Sequence, residues 1–275
     1  MAGLTTVVHS APSFPFYPKS AGMWRWTWQV TVCHHIVLLE LSTLYPSTWR
    51  MSAELSMVAL QLKKLSIIGH SMGGDIAAVF ASMYPEMVEA LVLLDSFGFL
   101  PTDTTELSKV VRQGMDEMLQ YEKKTEKKKR VYTYEKAAER LLAANPTLSE
   151  QSVRILLERG LVQVEGGFVF SRDLRVNFKN IVRISLEQSL DMQARIQASL
   201  LVVLANGSFD RILSEPAQSK FTTTLLQCLR DRNHTVVTAP GDHYVHLSKP
   251  EVVAPFVSNF LRTKVLSPPT REHKL

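Results

Sequence analysis

Cysteine is scarce in this chain. Its 275 residues hold two, Cys33 and Cys228, far apart in sequence and in no spacing that makes a metal clasp or a redox pair. That excludes a disulfide framework and sets a reducing, intracellular compartment as the expectation. Long apolar runs are missing too. No stretch reaches the ~18 apolar residues that cross a bilayer, and the most apolar early piece, 30–41, is interrupted by His34, His35 and Glu40. The start also lacks the basic lead and long apolar middle of a secretory signal. The expected location is therefore cytoplasmic, with no transmembrane segment. Aromatic residues are absent from the one concentrated basic run, Lys123, Lys124, Lys127, Lys128, Lys129 and Arg130. Bases stack on rings, so a run without them argues against a nucleic-acid groove. The interleaved Glu122 and Glu126 fit a solvated helix face with i,i+4 pairs, and an anionic membrane or acidic partner is the lesser alternative. Cys33-His34-His35 has no further ligands at suitable spacing, so no metal is expected.

What remains is an ordinary globular composition, 45% hydrophobic and 21% charged with a net charge of +5. That length suits one large α/β domain, or a core with an inserted subdomain. From residue 52 onward the order of elements is legible. A short helix over 51–62 precedes an apolar strand, Leu65-Ser66-Ile67-Ile68. A helix follows, with Ile76, Val79, Phe80 and Met83 on one face, and it stops before Pro85. The run Ala90-Leu91-Val92-Leu93-Leu94 reads as a parallel strand covered on both sides and ends in Asp95. Residues 97–197 turn helix-rich and charged, as an inserted helical cap would. Strand character resumes at Leu200–Leu204 and at Thr235-Val236-Val237, separated by a helix over 220–232. The last helix opens on Ser248-Lys249-Pro250-Glu251, read as a capping box with proline in the first turn, and Pro255 is expected to bend it. The first 50 residues, with Trp24, Trp26, Trp28 and Trp49 and many prolines, show no clear βαβ unit. The expected division is an atypical segment over 1–50, a core over 51–96 and 198–265, the cap over 97–197 and a tail over 266–275.

The most informative short run is Gly69-His70-Ser71-Met72-Gly73-Gly74. A serine at a strand-to-helix junction, flanked by glycines two before and two after, spells the elbow G-x-S-x-G. The glycines are needed because a serine at the tip of so sharp a turn has strained backbone angles, and side chains beside it would crowd strand and helix. The turn lifts the hydroxyl clear and aims the first amides of the helix, Met72 foremost, at a reacting carbonyl oxygen. A serine hydroxyl still needs a base within hydrogen-bond reach. His243 follows the strand at 235–237 through Ala239-Pro240-Gly241, and Asp210 follows the strand at 200–204 through Asn206-Gly207-Ser208-Phe209. In the chain order Ser, acid, His, Ser71 is the expected nucleophile, His243 the base and Asp210 the orienting acid. Asp95 is the reserve acid, and a helix cap is the other role open to Asp210. His246 competes with His243 and reads better as a packed neighbour, as does His70. Arg172-Asp173-Leu174-Arg175 either lines a pocket or forms an ion-paired turn.

These residues resemble the α/β-hydrolase superfamily, and more narrowly the serine hydrolase-like proteins of animals. The resemblance rests on Ser66–Gly74, Tyr84-Pro85-Glu86-Met87-Val88, Leu93-Leu94-Asp95, the segment 172–175, Phe209-Asp210 and the stretch Gly241–Pro250, and it covers about 52–262. It implies an eight-stranded, mostly parallel sheet with helices on both faces and a helical cap over Ser71. It also implies a hydrolase that uses no metal or organic cofactor, acts on a small-molecule acyl substrate, and is located in the cytoplasm or peroxisome. The C-terminal His273-Lys274-Leu275 resembles a relaxed Ser-Lys-Leu peroxisomal address. Serine rather than aspartate at position 71 argues against epoxide hydrolase or dehalogenase chemistry, leaving acyl transfer from an ester, thioester or amide to water. In one respect the chain departs from the family. The family's His-Gly loop, which supplies a second oxyanion donor, has no counterpart, because the sequence contains no His-Gly pair. Only 70 residues precede Ser71, fewer than in the family, so a start shortened by truncation or alternative splicing is expected, with an open sheet edge as its liability. The alternative function is a catalytically impaired relative that acts by binding.

Overall fold

The computed structural model describes residues 29–33, 36–40, 64–123, 130–172, 178–179, 181–213 and 216–266. The expected helix over 51–62, the pair His34-His35, the middle of the basic run, residues 173–175 and the C-terminal tripeptide lie outside them. The elements run β1 (Gln29–Cys33), β2 (Ile36–Glu40), β3 (Leu65–His70), α1 (Met72–Met83) and β4 (Val88–Leu94). Then come α2 (Leu107–Glu122), α3 (Tyr134–Ala144), α4 (Glu150–Gly160), a hairpin of β5 (Leu161–Val164) and β6 (Gly167–Phe170), and α5 (Leu186–Arg195). The chain returns with β7 (Ser199–Ala205), α6 (Asn206–Leu213), α7 (Pro216–Asp231), β8 (Thr235–Ala239), α8 (Val245–Ser248) and α9 (Pro250–Leu261).

Six strands form one sheet in the order β1-β2-β3-β4-β7-β8. All neighbours are parallel except β1 and β2. The sheet is therefore six-stranded among the described residues, where the family resemblance led to eight. The first 50 residues, which read as holding no βαβ unit, do supply two of these strands. They form a tight antiparallel hairpin with Cys33 opposite Ile36. A connection of that kind carries no crossover helix, so a search for βαβ units passes over it. Because β2 pairs with β3 from Ile36–Ser66 to Leu39–Gly69, the strand leading to Ser71 is not the open edge of the sheet.

Alternate residues of a strand face opposite sides, so a strand apolar throughout must be covered twice. In β4 and β7 this is visible residue by residue. Leu91, Leu93, Leu200, Val202 and Leu204 join Leu65 and Ile67 against Ala77, Phe80 and Ala81 of α1. Ala90, Val92, Leu201, Val203 and Ala205 face the other way, against Val253 and Phe260 of α9. The expected face of α1 is buried at Ile76, Val79 and Phe80, but Met83, the last residue of the helix, is 45% exposed. At α9 the expected capping box does not form. Lys249 is the cap residue and no side chain bonds to the helix amides, Ser248 being held instead in the short helix α8. Pro255 sits inside α9 on its exposed side.

Between β4 and β7 the described residues are mostly helical and also contain the β5–β6 hairpin. Its turn uses Gly166 and Gly167 at φ 83° and 144°, and a side chain on Gly167 would lie 2.4 Å from the Tyr132 carbonyl oxygen. This insertion has a small core of its own, Ala137, Leu148, Val153 and Leu157, and Tyr244 packs against it. No helix among the described residues is long and apolar enough to cross a membrane.

Candidate active site

Ser71 joins β3 to α1 at φ 52° and ψ −126°, a backbone region that a residue with a side chain holds only under constraint. The constraint is visible on both sides. The Ser71 amide donates to the Leu94 carbonyl at 2.9 Å, and the Ser71 carbonyl accepts from the amides of Gly74 and Asp75. Glycine at 69 is required, since a Cβ there would lie 2.6 Å from the Gly73 carbonyl oxygen and 2.7 Å from the Gly74 nitrogen, all rigid backbone. Gly74 is equally tight against the Ser96 side chain, at 2.6 Å. Met72 is the first residue of α1, so its amide has no acceptor within the helix.

His243 arrives from beyond β8. Its loop is tied to the β7–α6 junction by the Gly207 amide on the Gly241 carbonyl and by the Gly241 amide on Asn206 Oδ1, both 2.9 Å. Gly241 has φ 153°, and a Cβ there would lie 2.6 Å from Val245 Cγ2. So held, His243 brings Nε2 to 2.9 Å from Ser71 Oγ and Nδ1 to 2.6 Å from Asp95 Oδ2.

Asp210, just past the strand at 200–204, is the acid expected from the sequence, and the structure does not bring it there. Asp210 is exposed on α6, while Asp95, the reserve, occupies the position against His243. The reason is strand order. β4 lies between β3 and β7, so a carboxylate directly after β4 ends next to the elbow, whereas α6 carries Asp210 outward. Asp95 takes φ 47° just past its strand, with its amide donating to the Val203 carbonyl at 2.7 Å. Its Oδ1 accepts from the Ala205 amide at 2.9 Å, and its Oδ2 from the Ser208 hydroxyl. Burial alone would raise this carboxyl, but the hydrogen bonds from His243, Ser208 and Ala205 prevail and hold it below the ordinary carboxylate range. Its side chain is 6% exposed and that of His243 34%, so the carboxylate is sealed while the imidazole can be reached from solvent. Ser208 is the residue that sequence reasoning missed. The turn Asn206-Gly207-Ser208 reads as a lead-in to Asp210, yet what it delivers is a hydroxyl to Asp95.

Two further histidines surround His243. The contacts to Ser71 and Asp95 belong to His243, not to its competitor His246. The His246 ring packs on His70 at 4.1 Å between centroids, and burial, then the charges of His70 and His243, lower its pKa to about 3. Both alternatives for 172–175 concern residues that lie mostly outside the described ones. Among the described residues no group of three or more His, Cys, Asp or Glu side chains is arranged to hold a metal.

Comparison with known proteins gives the same architecture. The family model for the alpha/beta hydrolase fold matches residues 48–250. A serine hydrolase-like protein of Danio rerio is 46% identical over 205 residues, covering 74% of this chain and 62% of that protein. Serine hydrolase-like protein 2 of Homo sapiens is 33% identical over 220 residues, covering 77% of this chain and 69% of the relative. The chain thus spans under two thirds of the Danio rerio protein's own length. Among solved structures, a hypothetical protein of Pseudomonas aeruginosa superposes with a TM-score of 0.63 at 23% identity, over 80% of this chain and 76% of that one. E-2-(acetamidomethylene)succinate hydrolase superposes with a TM-score of 0.55 at 20% identity, over 81% and 76%. With its elbow, its doubly covered parallel sheet and these relatives, the chain belongs to the alpha/beta hydrolase fold family, close to the serine hydrolase-like proteins of animals.

Proposed function

We propose that this protein is a serine hydrolase that cleaves a carboxylic ester or a related acyl bond through an acyl-enzyme at Ser71. The observation that carries the reading is the unbroken row of hydrogen bonds from Ser71 Oγ through both nitrogens of His243 to Asp95. In the acylation step Ser71 Oγ attacks the acyl carbon while His243 Nε2 takes its proton, and Asp95 holds the other nitrogen as N–H and stabilises the imidazolium. The oxyanion formed faces the Met72 amide. Collapse breaks the bond to the leaving group, which departs with the proton from His243. Water then repeats the sequence, restoring Ser71 and releasing the acid. The insertion over 97–197, whose small core reaches Tyr244 beside the base, acts in this reading as the cap that selects the acyl group. Action in the cytoplasm, or in the peroxisome with the C-terminal tripeptide as its address, belongs to the same proposal, and no cofactor takes part.

The absence of a His-Gly pair favours a second reading, a protein that keeps the site but binds without turnover. Asp95→Asn and Asp210→Asn, compared in p-nitrophenyl ester hydrolysis, test the first. Loss of the orienting carboxylate leaves the imidazole in the wrong tautomer and costs ~10⁴ in kcat in well-studied proteases. A fall of at least about 10³ for Asp95→Asn, with Asp210→Asn within about twofold, is expected. The reverse pattern would return the acid to Asp210, and no esterase activity in folded wild type would favour binding.

A further inference from the structure

One side chain in the site has no part in the proton relay. His70 is the last residue of β3, immediately before Ser71, and its backbone pairs with Leu94, immediately before Asp95. Its Nε2 lies 2.7 Å from the carbonyl oxygen of His243, across 173 residues of chain. A carbonyl only accepts, so that nitrogen carries the proton and the ring is the Nε2–H tautomer. The ring also packs on those of His243, Tyr244 and His246, at 4.6, 5.4 and 4.1 Å between centroids. Burial, then the neighbouring His243 charge, lowers its pKa to about 4, so His70 stays uncharged beside the imidazolium that the relay would form. One residue is thus tied to all three parts of the site: to the serine by chain continuity, to the acid through the pairing of its backbone with Leu94, and to the base by its side chain.

We propose that His70 is a positioning residue for His243, its Nε2–H on the His243 carbonyl setting how far the imidazole stands from Ser71 Oγ and Asp95. The kinetic part of this claim rests on the serine hydrolase reading, whereas the geometric part does not. Without the bond, the histidine loop is still tied through Gly207 and Gly241, so the chain folds but the imidazole wanders. A displacement of about 1 Å at a reacting group can cost ~10²-fold in rate.

The test uses two reciprocal variants. His70→Phe keeps a ring and removes the donor, whereas His70→Gln keeps an N–H at nearly the same place and removes the ring. In ester hydrolysis and in fluorophosphonate labelling of Ser71, His70→Phe is expected to lower kcat and the labelling rate by about 10- to 100-fold with KM nearly unchanged. His70→Gln is expected to recover most of the loss. Equal rates in wild type and His70→Phe, or equal losses in both variants, would overturn the proposal, the latter by reducing His70 to packing. The downfield proton resonance of His243 Nδ1–H gives a readout that needs no turnover. It should be present in wild type and His70→Gln and lost in His70→Phe, and its persistence in His70→Phe would overturn the claim. Inactive wild type with this spectral pattern would defeat the hydrolase reading while leaving the positioning role. If His70→Phe does not fold, the ¹⁵N-histidine spectrum of wild type decides: an Nδ1–H tautomer at His70 cannot make the bond and would refute it.

Discussion

Replacing Asp75 with Asn should stabilise this protein at neutral and alkaline pH and leave it nearly unchanged in acid. Asp75 lies in the first turn of α1, four residues after Ser71, and the Ser96 hydroxyl donates to its Oδ1 at 2.8 Å. Desolvation of the carboxyl dominates, and the Ser96 hydrogen bond and the His243 charge oppose it without prevailing, so the pKa is pushed from 3.8 up to about 7. Between those values the native state keeps a proton that the unfolded chain has released. Stability therefore falls as pH rises from about 4 to about 7 and is level outside that window. Three pH units at ~1.36 kcal/mol each put the full penalty at about 4 kcal/mol. Asparagine matches the protonated acid in shape, keeps an oxygen for Ser96 and has nothing to ionise. Urea unfolding of both proteins at pH 4, 6 and 8 should give a gap near zero in acid, opening to about 2–4 kcal/mol in favour of Asp75→Asn at pH 8. The comparison must be between variants, because His70 and His246 tilt the absolute curve the other way. A gap independent of pH, or a more stable wild type at pH 8, would refute the reasoning.

That opposite tilt is itself a prediction. With His70 and His246 lowered to about 4 and about 3, the unfolded chain takes up protons first as pH falls below 6.5, so on acidification His70 withdraws stability from about 6.5 to 4 and His246 from about 6.5 to 3. His246→Phe should flatten this limb of the stability curve, and an unchanged slope would contradict the burial argument. Gly69→Ala places a methyl 2.6–2.7 Å from backbone atoms of Gly73 and Gly74. It should cost about 1–3 kcal/mol or more in urea unfolding, and a neutral result would mean the elbow is looser than these distances require. Leu91, at 0% exposure between the helical layers, should lose about 2–5 kcal/mol on truncation to Ala, with a loss under 1 kcal/mol indicating a core that collapses around the cavity.

The elbow, the two central strands and the placing of His243 beside Ser71 are legible because each is local. The glycines, the uninterrupted apolar runs of β4 and β7 and the glycine turn before His243 all state their structure within ten residues. The acid was not local. Asp95 and Asp210 both follow parallel strands, and the order Ser, acid, His places the acid between its partners in either case, since 95 and 210 both lie between 71 and 243. Only the adjacency of β3 and β4, and the direction in which α6 leaves β7, separates them. The β1–β2 and β5–β6 hairpins escape a reading of the sequence for a related reason. Their strands are four or five residues long, too short for an alternating pattern to stand out, and each is made by antiparallel pairing with its neighbour. Ser248 resembles a helix cap by spacing alone, but the residue belongs to the preceding turn, α8, whose approach to the insertion brings its hydroxyl within 3.4 Å of the Ser152 hydroxyl.

The account's central claim is that Ser71 is a nucleophile activated by His243, and labelling with a fluorophosphonate probe tests it most directly. Purified wild type, shown to be folded by circular dichroism, should label at Ser71, with the signal abolished in Ser71→Ala and reduced by at least about 10²-fold in His243→Ala. A folded wild type that does not label, or labelling that survives in Ser71→Ala, would contradict the claim.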